Sequence, residues 1–121
     1  MPLRSKLFRG DPKLEACLVS DPAHVTPGAS GPHVAKIHTA LFLVDGASVA
    51  SAELERQHYG PSTTAAVLAF KRKRHIINYS YQTKADNIVG KMTIAALDAE
   101  VLLYELKGPL PNGDAANTQF T

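Results

Sequence analysis

The side chains that could do chemistry in this chain are few and scattered. Its five histidines (His24, His33, His38, His58 and His75) include no pair at i,i+4, no His-Glu-x-x-His and no cysteine at metal-ligand spacing. The pattern points to no metal and no cofactor. The nearest carboxylate pairs are Glu53 with Glu55 and Asp98 with Glu100. Residues two apart lie on different sides of a helix, so neither pair converges on one bond as a hydrolase requires. Cys17 is the single cysteine and stands in a proline-broken stretch. It reads as a small buried side chain rather than a nucleophile. No Gly-x-Ser-x-Gly is present, and Gly60-Pro-Ser-Thr-Thr lacks the lysine and the glycine spacing of a phosphate loop. The expectation is a chain that does not catalyse.

One stretch carries groups suited to recognition. Residues 61–90 hold five basic groups against one acidic, in a chain whose net charge is only +2. Four of the five form Lys71-Arg72-Lys73-Arg74. Lys71 and Arg74, the rings of Tyr79 and Tyr81, the polar Asp86 and Asn87, and Tyr59 from a neighbouring turn make one candidate ligand belt. Aromatic faces with planar polar groups suit sugars, and cations suit carboxylates. Two other readings stand beside this one: the tyrosines cap a core, and the basic run is a solvated helix face. Asp86 also reads as a structural residue fixing the turn before Gly90. For a nucleic acid, the run offers about four phosphate contacts, which gives only weak and steeply salt-dependent binding.

These groups must be positioned by a small domain. A chain of 121 residues that is 45% hydrophobic can fill one core. One cysteine excludes a disulfide framework, and the apolar runs (Ala40 to Val44, Ala65 to Phe70) are too short to span a bilayer. The basic start lacks the apolar stretch of a secretory signal. Residues 1–30 are broken by four prolines and two glycines. They read as an irregular leader wrapped on the main body, in which Leu14 to Val19 makes either a strand or a helical turn.

From Gly31 the pattern becomes helical. Val34, Ile37, Leu41 and Val44 make one apolar stripe on a helix from Pro32 to Val44, ended by Asp45-Gly46. Ala47 to Tyr59 is a connection with a helical turn over Ala52 to Gln57. A second helix enters at Gly60-Pro61, carries Thr63, Ala66, Val67 and Phe70 on one face, and stops near His75. A third follows Gly90, with Ile94, Leu97, Val101 and Tyr104 aligned, and stops at Gly108-Pro109. The three entries repeat at about thirty residues: a glycine, a β-branched residue three on (Val34, Thr63, Thr93) and an apolar residue six on. Gly31, Gly60 and Gly90 are thus the expected structural turns. The fold class this implies is mainly α, a compact three-helix bundle over residues 31–106 with an irregular N-terminal segment and a flexible tail or linker over 107–121.

These blocks resemble the bacterial peptidoglycan-binding domain, the three-helix module found in cell-wall hydrolases. The residues carrying the likeness are Gly31, Val34, Ile37 and Leu41, then Tyr59-Gly60, Thr63, Ala66-Val67 and Phe70, then Asp86, Ile88-Val89-Gly90, Thr93 and Leu97. They cover about Gly31 to Val101. The chain departs from the family pattern where His38 and Lys71 replace glutamines, where Asp86-Asn87 replaces Asp-Gly, and in a longer connection from Asp45 to Tyr59. The resemblance implies a non-catalytic module that binds peptidoglycan or its stem peptide and tethers a fused or separate effector or hydrolase to the bacterial envelope or its exterior, with no membrane partner. The alternative keeps the fold as a protein-interaction domain of a secretion or injection apparatus, in the cytoplasm or exported without a signal.

Overall fold

The computed structural model describes residues 3–20, 23–76 and 88–107. The chain is mainly helical, with five helices and no strand among these residues. They are α1 (Pro12–Val19), α2 (Pro32–Asp45), α3 (Ser51–Arg56), α4 (Pro61–Lys73) and α5 (Lys91–Lys107). No described helix is long and apolar enough to cross a membrane.

The three expected helices form where the entries place them, although Tyr104, expected on the apolar face of the third with Ile94, Leu97 and Val101, stands open to solvent. Pro32 and Pro61 occupy the first turns of α2 and α4, where a missing N–H costs nothing. Gly46 ends α2 in the left-handed conformation, its N–H donating to the carbonyls of Leu41 and Phe42. Helices α2 and α5 make the central pair of the packing, with α4 against α2 and α1 against α5. Its stripe residues Val34, Ile37 and Leu41 meet Val67 and Phe70 of α4 and Ile94, Leu97 and Val101 of α5 in one buried core. Two antiparallel bridges tie the segments ahead of these helices together, Val25 with Val89 and Ser30 with His58.

Two helices lie outside the three-helix expectation. Helix α3 realises the turn foreseen over Ala52 to Gln57. Helix α1 settles the choice left open at Leu14 to Val19. Asp11 caps it by accepting from the N–H groups of Lys13 and Leu14, and Pro12 fills its first position. Leu14 and Cys17, three apart, then share the face that packs on α5.

The segment before α1 is less irregular than its prolines and glycines suggest. Leu3, Phe8, Leu14 and Cys17 belong to the main core, with Phe8 fully buried. Outside any helix or sheet, its backbone N–H groups still need acceptors. Carboxylates supply them. Asp98 accepts from Arg4 and Ser5, Glu105 from Lys6 and Leu7, and Glu15 from Leu3 and Gly10. Asp98 and Glu105 are seven apart on α5 and so share one face, which explains why both reach the same strand of backbone. Lys36 of α2 closes the arrangement with a 3.0 Å ion pair to Asp11.

Asp98 is the buried member of this set. Replacing it by alanine (Asp98→Ala) leaves two N–H groups without acceptors and should cost about 2 kcal/mol in chemical denaturation. Amide exchange of Arg4 and Ser5 should accelerate while that of α2 and α4 is kept. Unchanged protection at Arg4 and Ser5 would contradict this account of the segment.

Candidate functional site

Of the seven residues in the expected ligand belt, three lie in the described part. Tyr59 is 1% exposed and belongs to the core. Its N–H donates to the Ala29 carbonyl at 2.8 Å and its own carbonyl accepts from Gly28 at 2.9 Å, which holds the turn before α4 against the turn before α2. Lys71 is 6% exposed, and its ammonium donates to the Ile88 carbonyl at 2.8 Å, fastening α4 to the segment that leads into α5. Arg74, the C-cap of α4, binds Glu100 of α5 through Nε and, at 2.6 Å, through Nη2. It also reaches Asp45 at the end of α2, with Nη2 to Oδ1 at 2.9 Å, and stacks 3.8 Å over the Phe70 ring. The Glu100 hydrogen bond leads in raising its pKa, so the guanidinium is held firmly charged. Lys71 and Arg74 thus hold elements together through their side chains, and Tyr59 does so through its backbone and its place in the core. Tyr79, Tyr81, Asp86 and Asn87 lie outside the described residues.

Backbone conformation favours glycine at the first of the three turns, and close neighbours favour it at the other two, more strongly at Gly60 than at Gly90. Gly31 has φ 133°, a conformation that side chains rarely adopt. A Cβ on Gly60 would sit 2.7 Å from Cδ of Glu53, and one on Gly90 would sit 3.1 Å from Nε2 of His24. The β-branched residues that follow, Val34, Thr63 and Thr93, are all buried.

Glu53 organises the entry of α4. Gly60 provides no side-chain cap there, so the first N–H groups need an acceptor from elsewhere. Glu53 reaches across from α3 and accepts from the N–H groups of Gly60, Ser62 and Thr63 at 2.9–3.1 Å and from the Thr63 hydroxyl at 2.7 Å. Burial opposes the charge, but these donors prevail and bring its carboxyl down to about 2. Nε2 of His38 lies 2.7 Å from the same hydroxyl. Thr63 has one proton and gives it to Glu53, so it accepts from His38, whose Nε2 carries the hydrogen and whose Nδ1 is a bare acceptor. A nucleophilic relay has the histidine between hydroxyl and carboxylate. Here the hydroxyl is in the middle and buried, so the histidine cannot take its proton.

Beside this network runs a groove of about 490 Å³. Ala35, His38 and Phe42 of α2 form one wall, and Ala47 and Val49 with Leu54 of α3 form the other. Phe42 is 64% exposed and Leu54 48%, so two large apolar side chains stand open at the same place. Thr39 and Ser48 add hydroxyls. His38 is buried, and no donor reaches its Nδ1 among the described residues. Burial lowers its pKa, against the opposing pull of Glu53. A second cavity of about 350 Å³ lies between α1 and residues 23–33, lined by His24, His33 and Lys13 among others. Burial and then Lys13 lower the pKa of His33. No group of three metal-ligating side chains occurs among the described residues. Cys17 is buried, donates to the Val89 carbonyl, and has its thiol pushed up to about 11 by burial, so it stays protonated at neutral pH.

Sequence reasoning missed Phe42, Leu54 and Glu53. Phe42 carried a signal, because it is a large apolar residue off the Val34–Ile37–Leu41–Val44 stripe and must face away from the core. Glu53 carried none, since its partners lie seven to ten residues along the chain on another helix. Comparison with protein-family models, curated proteins and solved structures gives no match.

Two measurements check this arrangement. Folding lowers the Glu53 pKa from 4.5 to about 2, so its contribution is complete above pH 4.5 and is lost as pH falls toward 2. Glu53→Gln should therefore cost about 3 kcal/mol at neutral pH, and its deficit relative to the parent chain should shrink across that window. A pH-independent deficit would contradict it. Folding lowers the pKa values of His33 and His38 from 6.5, so stability present above that pH declines as they are forced to charge below it. Denaturation curves of His38→Gln should show a shallower decline below pH 6.5 than those of the parent.

Proposed function

We propose that this chain is a non-catalytic module that binds bacterial cell-wall peptidoglycan and holds an associated protein at the envelope. The observation that carries the reading is the threefold helix entry. Gly31 with Val34, Gly60 with Thr63 and Gly90 with Thr93 each place a buried β-branched side chain in the first turn of α2, α4 and α5, and these three helices share one core. That arrangement supports the peptidoglycan-binding type of three-helix bundle, which the sequence blocks resemble.

The binding surface is best sought in the groove between α2 and residues 47–54 rather than at Lys71 and Arg74. An open aromatic ring, an apolar wall and hydroxyls suit a saccharide with its methyl and hydroxyl groups. The cations, by contrast, are already engaged with Ile88, Asp45 and Glu100.

A sedimentation assay with purified sacculi tests the proposal. The chain should be retained, and because no Asp, Glu, Lys or Arg lines the groove among the described residues, retention should change little between about 0.15 and about 0.5 M salt. Phe42→Ala should reduce retention about tenfold. Failure to sediment, or release by salt alone, would contradict binding by this surface.

A second reading, a protein-interaction domain, is favoured by a different observation. Leu103, Tyr104 and Leu106 stand open on the last turns of α5. Exposed apolar groups clustered this way mark a protein contact. Failure to bind sacculi together with self-association reversed by Leu103→Ser and Leu106→Ser would favour it.

A further inference from the structure

We infer that the outer face of α5 pairs with the same face of a second copy of this chain, the two helices running antiparallel. The pairing uses the open leucines of α5 and does not depend on peptidoglycan binding. Helix α5 is apolar on two sides. Ile94, Leu97 and Val101 turn one side into the core. Met92, Ala96, Ala99, Leu103 and Leu106 follow one another at spacings of four, three, four and three, which puts them on a single stripe. With 3.6 residues to each turn, that stripe lies opposite the core residues. Met92 is 54% exposed, Leu103 58% and Leu106 73%; Ala99 is exposed as well, and Ala96 is half-buried. The outer face of a surface helix is ordinarily polar, so a helix apolar on both sides calls for a cover on both. Helices α1 and α2 cover the core side of α5.

The occupant is a second copy because the stripe is complementary to itself. Its middle is alanine and its C-terminal part leucine. With two copies antiparallel and the twofold axis level with Val101, Leu103 of one copy lies against Ala99 of the other, and Leu106 against Ala96. The symmetry repeats both contacts. A large side chain then meets a small one in every layer, which lets the helices approach closely and leaves no void. A parallel pair would set leucine against leucine and alanine against alanine, with a gap between the alanines. Charge permits the approach. The stripe holds no Asp, Glu, Lys or Arg, and Glu100, the acid beside it, is already paired with Arg74. The seam from Ala96 to Leu106 is about 15 Å long. Two helices joined over it bury on the order of 1,000 Å², the low end for a specific interface. The dimer is therefore weak, half-formed at about 0.1 mM.

The test is sedimentation equilibrium of the 121-residue chain from about 0.01 to about 1 mM. The mass should rise from monomer to dimer across that range. Ala99→Glu places a charge at the middle of the seam and should keep the chain monomeric at about 1 mM, at least a tenfold loss of association. Phe42→Ala, at the groove beside α3, should leave association unchanged. Both positions are exposed, so neither variant threatens folding. Orientation is read by mild oxidation of a mixture of two variants, Ala99→Cys and Leu103→Cys. These should cross-link to each other faster than either does to itself, and Cys17 does not compete because it is buried and protonated. A parent chain still monomeric at about 1 mM overturns the proposal and leaves the face to a different protein or to another segment of this chain. Association that Phe42→Ala weakens as much as Ala99→Glu does, or faster linking of each variant to itself, overturns it too.

Discussion

A single carboxylate sets the geometry at the middle of this molecule. Glu53, on the six-residue helix α3, accepts from three backbone N–H groups and one hydroxyl at the start of α4. It thereby does what a capping side chain at Gly60 would otherwise do, and Gly60 is small because the carboxylate needs the space. The consequences extend outward one atom at a time. The Thr63 proton is committed to Glu53, so His38 must donate through Nε2 and keep Nδ1 bare. α3 is pinned against α4, so Leu54 stands across from Phe42 and a groove opens between them. Removing the charge would loosen the helix entry, the histidine tautomer and the groove wall together, which makes this network more than the sum of its bonds.

The same pattern recurs with the other charged groups. Arg74 ties the ends of α2 and α4 to the middle of α5 through Asp45 and Glu100, and Lys71 reaches the Ile88 carbonyl ahead of α5. Asp98, Glu105 and Glu15 receive the backbone of the N-terminal segment. Groups that look like binding or acid–base chemistry in a list of residues thus act as architecture. The groove between α2 and residues 47–54 differs from these places in that its described lining, Ala35, His38, Thr39, Phe42, Ala47, Ser48, Val49 and Leu54, includes no Asp, Glu, Lys or Arg.

The legible part of the fold is the part written locally. Gly31-Pro32 and Gly60-Pro61 and the stripe from Val34 to Val44 all act within a few residues, so α2 and α4 fall where periodicity places them, as α5 does after Gly90. The N-terminal segment was harder to read because its stability comes from α5, more than ninety residues away, and its glycines and prolines mask one well-capped helix. Tyr59, Lys71 and Arg74 look like ligand groups in the sequence for a related reason. Aromatic and cationic side chains look alike in sequence whether they face solvent or a partner twenty-six to twenty-nine residues away, as Glu100 and Asp45 are from Arg74. Phe42 was legible in principle, since a bulky apolar residue off the stripe has nowhere to go but the surface. The remaining belt residues, Tyr79, Tyr81, Asp86 and Asn87, fall outside the described structure.

The charge on Glu53 is the point at which this account is most directly exposed. A ¹³C-detected titration of its side-chain carboxyl reads that charge without any substitution. The account predicts a carboxylate still ionised at pH 3, with a midpoint near 2 or loss of the fold before one is reached. A midpoint near the ordinary 4.5 in the folded chain would contradict it, since the Gly60, Ser62 and Thr63 donors would then not be holding the charge.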